Sequence, residues 1–538
     1  MAGGTLPESS NPSWHNWTQN IVHPPLGSGQ DYYFAPTSLD ELKAVLQQAI
    51  ADKAVLRVSG QRHSQPPLVI GADANSAGGA VNYLVDLSCY ADLGPNGDQN
   101  MVVDAANRQI TVNTGVREEQ VDALLTQNNL MMQTVTAGGF FSLGGMTSVD
   151  VHGATIAAPI FSGTVSSFTI LRADGSIVTI DESTPAVDGW KPIQFARVNL
   201  GGLGIVTSVT IDVLDRPWAT SLQGGSSGFS TTSWGNEPSR DSFITQFQAL
   251  LTAHDRVEAF YNPYFFAPIT DEFYAAWWNL VADPADKIPN QASTPESACA
   301  LAAEDDYGAA LLPPAEEAAA EAAAMLGQGS KILAGTITVA GMLTVQKNVA
   351  TADANHSDLW LTEASRVMFM SYFIEMPAID ATGLGKVWDS LQVVGARMRS
   401  GSPFYIVAPM EFRFVTGSDV AMAGTYTTAA DTIFVNLDLV AFVEAVPSGD
   451  YPSELLQFFA DVEREWVAMG GLPHNGKMYG FYDPQGAPGN CTAAFNPNFL
   501  AELRTRRGAP LQAYSAYRRS QDPDGVFYND YLRALLEG

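Results

Sequence analysis

Apolar and polar positions repeat along this chain in two periods, and the change from one to the other marks its elements. From Ser38 to Ala51 apolar residues recur at helical spacing, opened by a Ser38-x-x-Glu41 capping signature. Val55, Leu56 and Val58 then read as a short buried strand, which Gly60 breaks into a turn. A second helical pattern runs through Val121 to Leu125. Further on, 367–375, 404–415 and 432–439 have strand character, and Asp380 to Arg397 and Ser453 to Met469 are the clearest helices between and after them. The order predicts an α+β chain whose second half is a large mixed antiparallel sheet flanked by helices. No internal repeat is visible.

At 538 residues the chain exceeds one ordinary core, so two domains are expected. We place the first at 1–218 and the second at 219–480, with 481–538 as a C-terminal segment returning to the first. Leu222 to Ser233, rich in Gly, Ser and Thr, reads as a loop suited to the crossing. Residues 283–330 form an acidic, Ala-rich insert whose core from Pro313 to Gly327 is a helix, Pro at its start and Gly at its stop, and a candidate lid.

A formal charge of −29 excludes nucleic acid and anionic membrane surfaces as natural partners. No run approaches eighteen apolar residues, and the first residues lack a signal-peptide pattern, so the expectation is a soluble monomer, cytoplasmic or the mature form of a secreted protein. Cys89, Cys299 and Cys491 lie too far apart for a metal-ligand spacing, and at most one disulfide can form; the seven histidines contain no H-x-x-x-H pair. No metal is expected.

Candidate chemistry starts at Arg57-Val-Ser-Gly60-Gln61-Arg62-His63-Ser64, where a histidine follows a strand on a tight glycine loop. Gly138, Gly139, Ser142, Gly144, Gly145, His152 and Gly153 follow, then Gly204-Ile205 at the head of an apolar run. Backbone N–H groups reach a pyrophosphate only where side chains are absent, which is what such glycines allow. None of these runs is G-x-G-x-x-G between a strand and a helix, so a Rossmann fold is not indicated. In the second half, Glu411 and Arg413 share one face of a strand while Met410, Phe412 and Phe414 point to the other.

The order of strand, His loop, glycine-rich turns and closing Gly-Gly-x-Gly-Ile-Val strand over residues 14–216 resembles the flavin domain of the vanillyl-alcohol oxidase superfamily. The resemblance implies the two-domain fold of that family and an FAD covalently bound through His63, with His152 in the segment that wraps the pyrophosphate and isoalloxazine. Pro409-x-Glu411-x-Arg413 resembles a strand of the alditol, aldonolactone and covalent-flavin cholesterol oxidases. Pro473-His474-Asn-Gly-Lys477 resembles their Pro-His-Trp-Gly-Lys segment, with Asn475 in place of the aromatic. The ending around Asn529 resembles their C-terminal segment, and Val257-Glu258-Ala-Phe-Tyr-Asn-Pro263 a strand of the cholesterol oxidases, whose glutamate pairs with the arginine.

An alcohol-oxidising flavin site needs a base for the hydroxyl proton and a cation near the ring. Glu411, Arg413, Glu258, Lys477 and His474 are the candidates, with Glu258 also able to move toward Arg413 and gate the pocket. The resemblance thus implies an FAD-dependent alcohol oxidase that passes a hydride to flavin N5 and returns H2O2 from O2. The favoured substrate is a 3β-hydroxysterol; the alternative is a polyol, sugar or sugar lactone. A dehydrogenase with another acceptor, or a non-catalytic ligand-binding flavoprotein, are readings of another kind.

Overall fold

The computed structural model describes residues 4–71, 81–136, 139–215, 221–231, 238–254, 256–264, 271–281, 314–351, 367–443, 451–487 and 490–538. The helix Leu39–Asp52 forms where its periodicity predicts, burying Leu42, Val45, Leu46 and Ala49. The Ser38 side chain accepts from the Glu41 backbone N–H, while the Glu41 carboxylate accepts from the N–H and hydroxyl of Thr37 at 2.7 and 2.9 Å. This helix connects Tyr33–Ala35 to Val55–Val58, both parallel to Asn82–Val85 in a four-stranded sheet edged by Glu8–Ser10.

A second sheet runs Ile177–Asp181, Val165–Leu171, Ile205–Asp215, Gln109–Asn113, Met101–Asp104, all antiparallel, and Leu130–Met132 pairs with the far end of Ile205–Asp215. Ser142 to Met146 are not turns: Ser142 is the N-cap of a short helix, Leu143–Ser148, and Gly144 and Gly145 sit in its first turn.

The second half of the chain builds a seven-stranded antiparallel sheet in the order Ser221–Phe229, Phe273–Val281, Arg256–Tyr261, Met410–Thr416, Ile433–Phe442, Val367–Met376, Leu472–Pro473. Its alternation is the predicted one. Met410, Phe412 and Phe414 are buried, as are Leu437, Leu439, Met370 and Tyr372 on the neighbouring strands. The helices Arg240–Ala253, Ala381–Ser400 and Ser453–Ala468 belong to the same core: the Phe247 ring meets Phe412 at 5.3 Å, Trp388 meets Phe243 at 5.3 Å, and Trp466 meets Tyr372 at 5.9 Å. Each such side chain removed from water stabilises by about 1.5–3 kcal/mol.

Two expectations change. The strand predicted from 404 begins only at Met410, because Pro409 has no N–H to give to a ladder. The Gly/Ser-rich stretch read as a loop is the edge strand Ser221–Phe229. Glycine is required there by its neighbour, since a Cβ at Gly225 would stand 2.3 Å from the Trp277 ring. Of the Ala-rich insert, residues 283–313 lie outside the described residues, and with them most of the lid reading. Its helix spans Pro314–Gly327, and the Gln328 amide just after it exchanges two hydrogen bonds with the Phe442 backbone at 2.9 and 3.0 Å.

The C-terminal stretch returns to the first sheet: Leu56 N–H donates to Val526 O at 2.7 Å. Arg57, buried beside it, donates to the carbonyls of Leu68, Leu200, Gly201 and Phe527 at 2.7–2.8 Å. One guanidinium thus ties three other segments to its own strand.

Candidate active site

A cavity of about 1980 Å³, open mouth included, runs from the loop after Val55–Val58 to one face of the seven-stranded sheet. Its first end is lined by Gly60 to Ser64, Ser142, Gly144, Gly145, His152, Gly204 and Ile205; its second by Phe369, Ser371, Glu411, Arg413, Asp438, His474, Gly476 and Lys477.

At the first end His63 is held by rings. Trp17 stacks on its imidazole at 5.0 Å, Phe140 stacks at 4.9 Å, and Phe141 meets it edge-on at 4.9 Å. Arg62 takes the left-handed conformation (φ 59°) that turns the loop, and its carbonyl accepts from Trp17 N–H at 3.0 Å. Asn16 donates to the Ser64 carbonyl at 3.0 Å. Gln65, fully buried, carries the loop across to the sheet: its amide donates to Val367 O at 2.8 Å and accepts from Phe369 N–H at 3.0 Å. A Cβ at Gly60 would stand 2.3 Å from Ser142 Oγ, so the glycine lets these two walls meet with the Ser142 hydroxyl in place.

At the second end the antiparallel register gathers four ionisable groups. Glu258, Arg413 and Asn436 form one cross-strand row, and Phe260, Glu411, Asp438 and Ser371 the next. Arg413 Nε lies 2.9 Å from Glu411 and 3.8 Å from Glu258, and its Nη2 donates to Asp438 at 3.0 Å. Burial, and next the charge of Glu411, push the Glu258 carboxyl well above the usual range. Burial raises Asp438 as well, against the pull of Arg413. Burial alone would lower Arg413, but Glu411, Glu258 and Asp438 together hold it above its ordinary value. Burial thus holds two carboxyls beside one guanidinium, Glu258 and Asp438, toward their protonated forms.

Two histidines face each other across the join, ring centroids 6.1 Å apart. Burial first, and then Arg413 for His152 and Lys477 for His474, drive both far below the ordinary histidine value, so both are neutral. Their hydrogen bonds assign opposite tautomers. His474 Nδ1 accepts from Gly476 N–H at 2.9 Å, which leaves a proton on Nε2. His152 Nδ1 lies 3.0 Å from the Gly153 carbonyl and must donate to it, which leaves Nε2 as an acceptor. Lys477 Nζ stands 4.0 Å over the Phe369 ring.

Asn475, where the resemblance would have an aromatic, is the centre of a buried polar knot. Its N–H and amide donate to Asp150 at 2.7 and 2.6 Å and its amide to Met422 O at 2.8 Å, while Asp150 also accepts from Gly424 N–H at 2.7 Å. Arg507 donates to Met422 and Ala423 carbonyls at 2.7 and 3.1 Å. The knot fixes the turn that carries His474 and Lys477.

The cavity thus brings together His63, Gly60, Gln61, Arg62, Ser64, Ser142, Gly144, Gly145, His152, Gly204, Ile205, Glu411, Arg413, His474 and Lys477. Glu258 stands behind Arg413 with a side chain 4% exposed. Gly138 lies outside the described residues. Gly139, Gly153 and Asn529 do not line the cavity. Gly153 is needed for close packing, since a Cβ there would meet Val135 O at 2.3 Å. The Asn529 amide donates to the carbonyls of Pro67 and Leu68 and caps the last helix, so it supports the His loop from behind.

Asp438, Gln65, Asp150 and Arg507 were missed. Asp438 carried a signal, a polar pair with Asn436 at strand spacing inside an apolar run. Gln65 and Arg507 carried none, because their partners are backbone groups far away in sequence.

The residues suit FAD: a long cavity whose glycine-lined end admits backbone donors, the buried Gln61 Oε1 without a hydrogen-bond partner among the described residues, and cations at the other end. Residues 30–181 match a family model described as FAD binding domain. Residues 364–535 match one described as D-arabinono-1,4-lactone oxidase. With these matches, the fold is the two-domain vanillyl-alcohol oxidase fold, an FAD-binding domain followed by a second domain. Among curated relatives it is similar to L-gulonolactone oxidase of Mus musculus, 26% identical over 198 residues covering 37% of this chain and 39% of that protein. It is also similar to D-arabinono-1,4-lactone oxidase of Candida glabrata, 23% identical over 35% of this chain and 33% of that one. The chain therefore matches about two fifths or less of the length of these relatives. Among solved structures, a solvent-stable cholesterol oxidase superposes with TM-score 0.68 at 19% identity, covering 98% of both chains. Cholesterol oxidase from B. sterolicum gives 0.70 at 15% identity over 100% of both, a likeness of fold.

Proposed function

We propose that this protein is an FAD-dependent oxidase of a hydroxylated carbon, with a sugar lactone or polyol as the substrate class. FAD, when bound, takes the hydride from the substrate carbon and passes the electrons on to O2 as H2O2. His63, half-buried in the cavity and held between Trp17 and Phe140, is the residue that would carry the covalent link. The observation that carries the substrate reading is the chemistry of the second end. Ser371, Glu411, Arg413, Asp438, His474 and Lys477 line it with one ring, Phe369, an arrangement suited to several hydroxyls. The match of residues 364–535 to the lactone-oxidase model covers that end and supports the same class.

The tautomers divide the proton work. His474 presents Nε2–H and donates to a substrate oxygen, so it is not the base. Glu411 and His152 Nε2 are acceptors, and Glu411, on the strand with Arg413, takes the hydroxyl proton. Arg413 and Lys477 supply the positive charge that favours negative charge developing beside them. A 3β-hydroxysterol is the second reading, supported by the full-length likeness of fold to cholesterol oxidases and by Glu258 beside Arg413.

The deciding experiment is a peroxide-release screen over aldonolactones, polyols, sugars and 3β-hydroxysterols, with an artificial electron acceptor run in parallel. Peroxide from lactones or polyols is expected. Turnover with sterols alone overturns the substrate class, and turnover only with the artificial acceptor overturns the oxidase.

A further inference from the structure

We propose that Asp438, rather than Glu258, is the carboxylate that holds the Arg413 guanidinium, making Arg413 a fixed cation of the site instead of part of a gate. The inference rests on the reading that Arg413 serves the reaction. It is built from register. Arg413 sits directly opposite Glu258 on one side and Asn436 on the other, so Glu258 is its natural partner by pairing alone. The guanidinium nevertheless turns along the sheet to Asp438, two residues on from Asn436: Nη2 reaches Asp438 at 3.0 Å with hydrogen-bond geometry, while Glu258 stands at 3.8 Å.

Asp438 is suited to this hold because it is itself held. Its side chain is 3% exposed, and it lies directly opposite Ser371 on one side and Glu411 on the other. Oriented to satisfy both neighbours, the Asn436 amide donates to Asp438 at 3.1 and 3.2 Å and accepts from the Ser371 hydroxyl at 2.8 Å. A carboxylate fixed by the Asn436 amide gives a buried cation one orientation, and a bond to a charged partner is stronger than a neutral one. Glu258 Oε1, by contrast, is buried without a hydrogen-bond partner among the described residues. It sits at the back of the arginine as a reserve acceptor and does not line the cavity.

The test compares Asp438→Ala, Asp438→Asn and Glu258→Gln in the FAD-loaded protein. In stopped flow with the substrate found by the peroxide screen, Asp438→Ala should slow flavin reduction by roughly tenfold or more, as loss of a preorganised charge does. Asp438→Asn, which keeps an acceptor, should recover part of the rate. Glu258→Gln should slow flavin reduction by less than Asp438→Ala does, without the change in substrate KM that loss of a gate would bring. Asp438→Ala at wild-type rate, or Glu258→Gln slowed as much as Asp438→Ala, overturns the proposal. A crystal structure of the Asp438 variants without substrate decides the same point even if no substrate is found. The guanidinium should move to within hydrogen-bond distance of Glu258 in Asp438→Ala and stay in place in Asp438→Asn. An unmoved guanidinium in Asp438→Ala, or one that abandons its site in Asp438→Asn, refutes the hold by Asp438.

Discussion

Replacing Gln65 by Leu isolates the contact that ties the His63 loop to the second sheet. Its amide occupies the open edge of the strand Val367–Met376, where Val367 O and Phe369 N–H face away from their ladder with Ile433–Phe442. Leucine has nearly the same volume and no hydrogen-bonding group, so both backbone groups are left buried and unpaired. Each orphan costs about 1–3 kcal/mol. The leucine side chain returns about 1–2 kcal/mol through burial. At the midpoints of these ranges the expected net loss is about 2.5 kcal/mol, read from urea unfolding followed by tryptophan emission, with Trp17 beside the loop and Trp466 in the second sheet's core as reporters. Because the same amide positions the residues after His63, the share of flavin that stays with acid-precipitated protein should fall as well. A loss below about 0.5 kcal/mol would show that water or a shifted side chain satisfies the strand edge, and the account of Gln65 as its cap would fail.

Other outcomes follow from the same geometry. His63→Ala should fold and bind flavin, but its flavin should come off in acid while that of the wild type stays with the precipitate; wild-type flavin released by acid refutes the link. Asn475→Leu should cost about 1–3 kcal/mol by removing the side-chain donor shared by the buried Asp150 carboxylate and the Met422 carbonyl, and should raise KM through the loosened His474–Lys477 turn; unchanged stability and KM would remove the knot from the site. Glu463, buried and bonded to Tyr372 OH at 2.6 Å and to the N–H groups of Gly480 and Phe481 at 2.6 Å, has its carboxyl pushed up to about 7 by burial. A raised carboxyl contributes stability that is present below its unfolded value and lost as pH rises through its folded one, so part of the wild-type stability should fall away between about pH 4.5 and 7. Melting curves of Glu463→Gln should lack that part of the slope, and an unchanged slope would refute the assignment. His152, held neutral by burial, carries the opposite sign: its contribution is present above about pH 6.5 and lost in acid, so His152→Asn should flatten the acid limb of the melting profile.

Much of this was already fixed by local pattern. The alternation that put Glu411 and Arg413 on one face and Met410, Phe412 and Phe414 on the other survived intact, because a strand with one buried face tolerates no slip in register. The helices opened by Ser38 and Asp380 formed within a residue or so of their predicted starts, since capping is settled within a single turn. Glycine spacing marked the His63 loop and the walls around Ser142. Strand order was beyond the sequence, and strand order made the site. Only the pairing of Met410–Thr416 with both Arg256–Tyr261 and Ile433–Phe442 brings Glu258 and Asp438 to the same arginine. The histidine tautomers also required coordinates, because each is set by one backbone group of a folded turn. The Gly/Ser-rich strand at Ser221–Phe229 was misread for a related reason: what makes glycine acceptable there is the Trp277 ring lying across it, a neighbour that local sequence does not announce. Short-range rules chose the elements and their faces, whereas long-range register decided which charges meet at one arginine.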